Sequence, residues 1–231
     1  MLEILSGSAY FGFFISLFCF FTGVFIQKKT GLRIMNPLML SIIMVIAILQ
    51  LSGIDYKAYN QGAQIISYFL TPATICLAIP LYKQLRLLKD NALAILVSIV
   101  FGTVTSIGSI FLMSKLFGMD HTFYASLLPK SITTAIGMGI SEELGGIVTI
   151  TVAVIIITGI LGNVISDLVF KLFRISNPIA KGLALGTSAH AIGTARAMEL
   201  GEIEGAMSGL SIAVAGIVTV ILAPMAANWI G

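Results

Sequence analysis

Residues 148–161, VTITVAVIIITGIL, run on without a charged side chain, and residues 42–51, IIMVIAILQL, read the same way. Both are continuously apolar. A strand of a membrane barrel would alternate polar and apolar side chains over about 10 residues, so a barrel is excluded. Inside hydrocarbon every backbone N–H and C=O must be bonded within the protein, which leaves the helix as the spanning element. A helix rising about 1.5 Å per residue needs about 20 residues to cross a core of about 30 Å. Working outward from these stretches, spans are expected near 9–27, 36–51, 62–82, 92–117, 147–170 and 206–230. Two less regular segments fall near 123–143 and 179–200. The expected fold class is an all-α membrane protein, a multi-pass helical bundle forming a single membrane domain, with N-terminal helices through residue 117.

Composition agrees. Of the 231 residues, 58% are hydrophobic and 10% charged, against roughly a quarter charged in soluble domains. Mean hydropathy is +1.05. A net charge of +3, concentrated in short loops, leaves no footprint for nucleic acid. Cys19 and Cys76 stand alone in apolar runs without ligand or redox spacing. HExxH, P-loop and GxSxG patterns are all missing from the sequence, so no enzyme, metal or cofactor is expected. Glu3 precedes the first apolar run and Lys28 and Lys29 follow it, the reverse of a cleavable signal peptide.

The basic residues suggest a topology. Of 13 Lys and Arg, most fall in three clusters, Lys28–Lys29–Arg33, Lys83–Arg86–Lys89 and Lys171–Arg174–Lys181. Cytoplasmic loops carry such excess, so all three are expected inside, with the N-terminus outside. A full crossing by 123–143 would carry the third cluster to the wrong side. Re-entry of that segment from the outer face removes the conflict.

The sequence also repeats itself: AIGMGISEELGG at 135–146 and AIGTARAMELGE at 191–202 share Ala, Ile, Gly, Glu, Leu and Gly, each 56 residues on. One apolar span follows each copy. Units 123–173 and 177–231 are therefore expected to be inverted repeats with broken or re-entrant helices, an architecture of secondary transporters. Asn36-Pro37 and Asn177-Pro178 form a weaker pair that ordinary helix capping explains.

Polar groups at lipid depth are costly and mark functional candidates. In the irregular segments these are Lys130, Ser131, Thr133, Thr134, Glu143, His190, Thr194, Arg196 and Glu199, with Pro129 and Gly193 interrupting helix geometry. Lys130 or Arg196 could hold an anion or pair with Glu142, Glu143 or Glu199. Half-helix N-termini at the breaks favour a carboxylate. His190 could accept a proton or serve as a bonded interior side chain. His121 reads as a solvated loop residue. Thr71, Pro72 and Thr74 mark a third break that could line a ligand path or simply kink the span.

These motifs bring a resemblance with them. NPLMLSI (36–42), FLTPATICLAIPLYKQ (69–84), LLPKSITTAIGMGI (127–140), FRISNPIAKGLALGTSAHAIGTARAMELGEIEGAMSGL (173–210) and ILAP (221–224) resemble the LrgB/CidB family over nearly the whole chain. Members are encoded beside a smaller LrgA/CidA-type membrane protein and are similar to the C-terminal part of the plastid glycolate/glycerate translocator. The resemblance implies small monocarboxylate cargo such as pyruvate or glycolate. It also implies the older role, antiholin-like or holin-like control of murein hydrolases and cytolysis. It would place a substrate site on Thr71, Pro72, Thr74, Lys130, Ser131, Thr133, Thr134, His190, Gly193, Thr194 and Arg196. Glu143 and Glu199 would serve in charge pairing. Broken, hydroxyl-lined helices are more than a pore-former needs, so the residues lean to transport, with holin-like regulation as the alternative. Homo-oligomerisation is left open.

Overall fold

The computed structural model describes residues 8, 10–31, 35–69, 72, 75–76 and 78–230. Its described elements are all helices: α1 (Phe11–Thr30), α2 (Pro37–Ser52), α3 (Tyr56–Tyr68), α4 (Ala78–Lys83), α5 (Leu85–Asp90), α6 (Ala92–Leu116), α7 (His121–Leu127), α8 (Thr134–Glu143), α9 (Val148–Leu172), α10 (Pro178–Leu200) and α11 (Glu202–Ala227). Four of them, α1, α6, α9 and α11, are long and apolar enough to cross a membrane. The protein is thus an all-α, multi-pass membrane protein.

The chain forms two compact units, 1–76 and 77–231. The division falls before α6, so that span groups with the later helices and not with an N-terminal set ending at 117. In the first unit, α1 packs on both its neighbours. Gly12 lies against the backbone of Tyr59 and Ala63, and Gly23 against that of Pro37. Close approach of backbones over small residues is how helices associate without a hydrophobic driving force. Tyr59 and Ser16 share a hydrogen bond of 2.8 Å across the α1–α3 contact. Asn36 caps α2, its side-chain oxygen accepting from the N–H groups of Leu38 (2.9 Å) and Met39 (3.2 Å) with Pro37 in the first turn. Asn177 accepts likewise from Ala180 at 3.2 Å, so both Asn-Pro pairs are helix caps. The expected span 62–82 is not one helix. The described α3 starts at Tyr56 and ends at Tyr68, ahead of Pro72, whose missing N–H interrupts a helical ladder.

The second unit is built from two hairpins and three crossing helices. His121 at the start of α7 reaches the Leu144 carbonyl just past the end of α8, at 3.2 Å. Segment 121–143 therefore goes in and comes back to the same end. The same ring donates to the Ile230 carbonyl at 2.8 Å, placing the end of α11 there too. His121 is not a merely solvated loop residue, since its two nitrogens tie three chain ends together.

Segment 178–200 is a second hairpin. Its helix breaks at His190, whose φ of 42° and ψ of −133° lie outside helical space. Past the break the chain doubles back, so that Gly193 lies against the Leu185 carbonyl and Ala197 packs with Leu185. Leu200 thereby returns to the end of the bundle occupied by Lys171, Arg174 and Lys181. Lys83 joins them through Glu202 at 3.4 Å. Hairpin α7–α8 opens at one end of the unit and hairpin α10 at the other, and α9 and α11 cross in opposite directions. Gly182 and Gly186 of α10 seat on the backbone of Glu204 and Ser208 in α11. Phe101, Leu112, Leu161, Leu168, Leu172, Ile217 and Ile221 lie on the outside, as lipid contact requires.

Candidate functional site

The two hairpin tips meet the middles of the crossing helices. Pro129 breaks the chain after α7, and the next residues form the tip. Lys130 Nζ donates to Ser131 Oγ at 2.9 Å and to Ser106 Oγ of α6 at 3.3 Å, while the two hydroxyls are 3.0 Å apart. Among the described residues Lys130 forms no ion pair. Beneath this triangle is a void of about 10 Å³ lined by Thr103, Ser106, Ser131, Thr187 and Thr219, room for roughly one water. On its other side Lys130 stands in a cleft of about 310 Å³ between α9 and α10, whose walls are Leu161, Ile165, Val169 and Leu185 with Thr158, Ser166 and Ser188 among them. The arrangement offers a lysine amine, two hydroxyls and an apolar wall, which suits a small organic anion.

Thr133 caps α8 by position only, since neither its side chain nor that of Thr134 bonds another described residue. Both are half-buried near the tip.

At the second tip His190 is 4% exposed and its Nε2–H donates to the Ile155 carbonyl at 2.9 Å. Gly159 makes room for the ring. Thr194 donates to the His190 carbonyl at 3.1 Å and bonds Ser208 at 2.7 Å. His190, Gly193 and Thr194 are thus brought together, with their hydrogen bonds directed into the protein.

The two tips are related residue by residue. Gly137 lies against the Pro129 carbonyl as Gly193 lies against that of Leu185, and both positions differ by 56. Ile136 of the first hairpin packs on Gly216 of α11, and Ile192 of the second on Gly159 of α9. Within the second unit, the first hairpin's tip thus touches α11 and the second hairpin's tip touches α9.

Other expected residues fall elsewhere. Arg196 is engaged within the protein. Its guanidinium donates to both Asp167 oxygens (3.2 and 2.9 Å) and to Glu199 (2.6 Å), closing the Leu200 end of α10 onto α9. Glu199 is accordingly a pairing residue. Glu143 is exposed and forms no ion pair among the described residues, so it does not serve Lys130. Pro72 is exposed, and Thr71 and Thr74 lie outside the described residues.

Sequence reading passes over Asp167, Ser106 and the hydroxyl cluster of Ser126, Ser141 and Thr151. Thr151 donates to the Ser126 carbonyl (2.9 Å) and shares a hydrogen bond with the Ser141 hydroxyl (2.7 Å), locking α9 to both arms of the first hairpin. An acid inside an apolar run was a signal for Asp167. Single hydroxyls carry none, because they occur throughout membrane helices.

The profile of the LrgB-like family matches residues 16–229. The antiholin-like protein LrgB of Bacillus subtilis (strain 168) is 42% identical over 225 residues, 97% of each chain. That of Bacillus cereus (strain B4264) is 41% identical over 223 residues, 96% of this chain and 97% of its own. No solved structure matches. A profile match over nearly the whole length, together with relatives of this identity, means that the chain belongs to the LrgB-like family.

Proposed function

We propose that this chain is an antiholin-like component of a bacterial inner-membrane system that restrains murein hydrolase activity and lysis. It works with an LrgA/CidA-type small membrane protein, and its N-terminus is outside. The observation that carries this reading is the name borne by relatives 41–42% identical over nearly full length. Where the residues alone lean to transport, these relatives favour the regulatory alternative. The test is the autolysis rate and extracellular murein hydrolase activity of a bacterium lacking its own LrgB-type gene, with and without this chain. Expression should slow lysis, and an unchanged rate counts against the proposal.

A second reading rests on one structural feature, the Lys130–Ser106–Ser131 triangle beside the cleft. Units 123–173 and 177–231, read as inverted repeats, would move as a substrate-binding body, and Lys130 would hold a small monocarboxylate. Uptake of labelled pyruvate into proteoliposomes, with and without the small partner, tests it. Saturable uptake lost in Lys130→Gln supports a carrier, whereas dye leakage without saturable uptake supports a holin-like lesion.

A further inference from the structure

The end of the second unit that carries Lys171, Arg174 and Lys181 holds a cleft of about 570 Å³. Its cations come from the last turn of α9, the turn after it and the first turn of α10. Phe170, Ile175 and Leu200 supply apolar wall. Asp167, the acid in the cleft, faces the Arg196 guanidinium.

The backbone singles out Arg174. Helices α2, α6, α8 and α9 end in the same motif, in which a residue one or two positions past the helix takes a left-handed conformation and the next N–H bonds back five residues. Those bonds are Ile54 to Leu49 (3.1 Å), Met119 to Ser114 (2.9 Å), Gly146 to Ser141 (2.7 Å) and Ile175 to Phe170 (2.8 Å). The left-handed position is Gly53, Gly118 and Gly145 in the first three, and Arg174 with φ 54° in the fourth. Glycine adopts this conformation without strain and arginine does not. A guanidinium is therefore held, at a cost in stability, where glycine would serve the fold. Lys181 is oriented separately, its Nζ 6.0 Å from the centre of the Phe170 ring.

We propose that the cleft formed by Lys171, Arg174 and Lys181 is a binding site for the headgroup of an anionic phospholipid. Three cations of this kind grip a phosphate, with Arg offering paired donors. Basic pockets between membrane helices at the interface hold such headgroups. The apolar wall of Phe170, Ile175 and Leu200 gives an acyl chain a surface that a free anion would not need. A lipid here would rivet α9 to the second hairpin at the end where α10 enters.

The test is native mass spectrometry of the full-length protein in neutral detergent, titrated with phosphatidylglycerol or phosphatidylcholine, with inorganic phosphate as competitor. Phosphatidylglycerol should bind at least about tenfold more tightly, with phosphate in molar excess displacing little of it. Arg174→Gly should lower that affinity about fivefold, the effect expected of one basic residue at a membrane surface. It should leave the thermal midpoint unchanged or higher, because glycine relieves the strain. Lys28→Gln/Lys29→Gln, outside the cleft, should bind as the parent does. Equal affinity for the two lipids, unchanged affinity in Arg174→Gly, or an equal loss in the Lys28/Lys29 variant would overturn the proposal. Full displacement by phosphate would make this a free-anion site and overturn it equally.

Discussion

Replacing Arg196 with alanine separates a structural clasp from a solute contact. The guanidinium spans both oxygens of Asp167, and the side chains are 16% and 26% exposed. Its second partner, Glu199, is 66% exposed at a spacing of three residues. An exposed pair of that kind is worth about 0.5 kcal/mol or less. A fully buried pair broken on one side costs about 3–5 kcal/mol. The Asp167 bridge lies between these limits, so Arg196→Ala should destabilise by about 2 kcal/mol. In a chain of this length that lowers the thermal midpoint by about 4–8 °C. Glu199→Ala should cost about 1 °C. Asp167→Ala should cost nearly what Arg196→Ala costs, and the double variant clearly less than the sum, a coupling of about 1–2 kcal/mol. The assay is thermal unfolding in detergent across the four-member cycle. Additive effects, or an Arg196→Ala midpoint equal to the parent's combined with lost solute uptake, would refute the clasp.

The hairpin geometry makes three further predictions. With Cys19 and Cys76 replaced by serine, Glu143→Cys and Glu199→Cys should react with a membrane-impermeant maleimide from opposite faces of sealed vesicles; labelling from one face would refute the opposed hairpins. A Cβ at Gly159 would stand 2.8 Å from the His190 ring, so Gly159→Ala should cost about 1–3 kcal/mol by overpacking. Gly108→Ala, with open space around it, should be neutral or stabilising by up to about 1 kcal/mol, and equal midpoints for the two variants would contradict the packing described. Thr151→Val removes the bonds to Ser126 and Ser141 and should cost about 1 kcal/mol, recovered in Thr151→Ser; a thermal midpoint unchanged in Thr151→Val would show the cluster to be idle.

Much of the second unit was legible because two independent signals agreed. Charge bias favoured a return of 123–143 to its own side over a crossing that breaks the charge rule, and the repeat at 56 residues implied that 179–200 does the same at the other end. The break at His190 was legible only as a neighbourhood of small residues, since no local rule places a histidine at φ 42°. That conformation is held by long-range contacts, the Ile155 carbonyl and the gap at Gly159. In span 62–82 the break at Pro72 was legible, but the helix end at Tyr68 was not, because hydropathy averages across Pro72 while a helix ladder does not. Asp167 and Arg196 lie on different helices, and a partner 29 residues away has no periodic signature to reveal it.

The hydroxyls that suggest a solute path are, for the most part, already spoken for. Thr103, Thr105, Ser188, Ser211 and Thr219 each donate to the carbonyl four residues back. Thr194 and Thr151 are bonded across helices. Among the described residues Ser114 holds the one fully buried side-chain oxygen or nitrogen without a partner. Hydroxyl content therefore says little about a ligand, and the weight falls on Lys130. A lysine at mid-membrane depth costs about 2.5–3.5 kcal/mol on insertion scales, and here two neutral hydroxyls, not a carboxylate, receive its N–H groups. Its retention makes physical sense if an anion or a proton reaches the hairpin tip during function, and this is why Lys130→Gln, more than any change at Arg196 or His190, discriminates between the regulatory and the carrier readings.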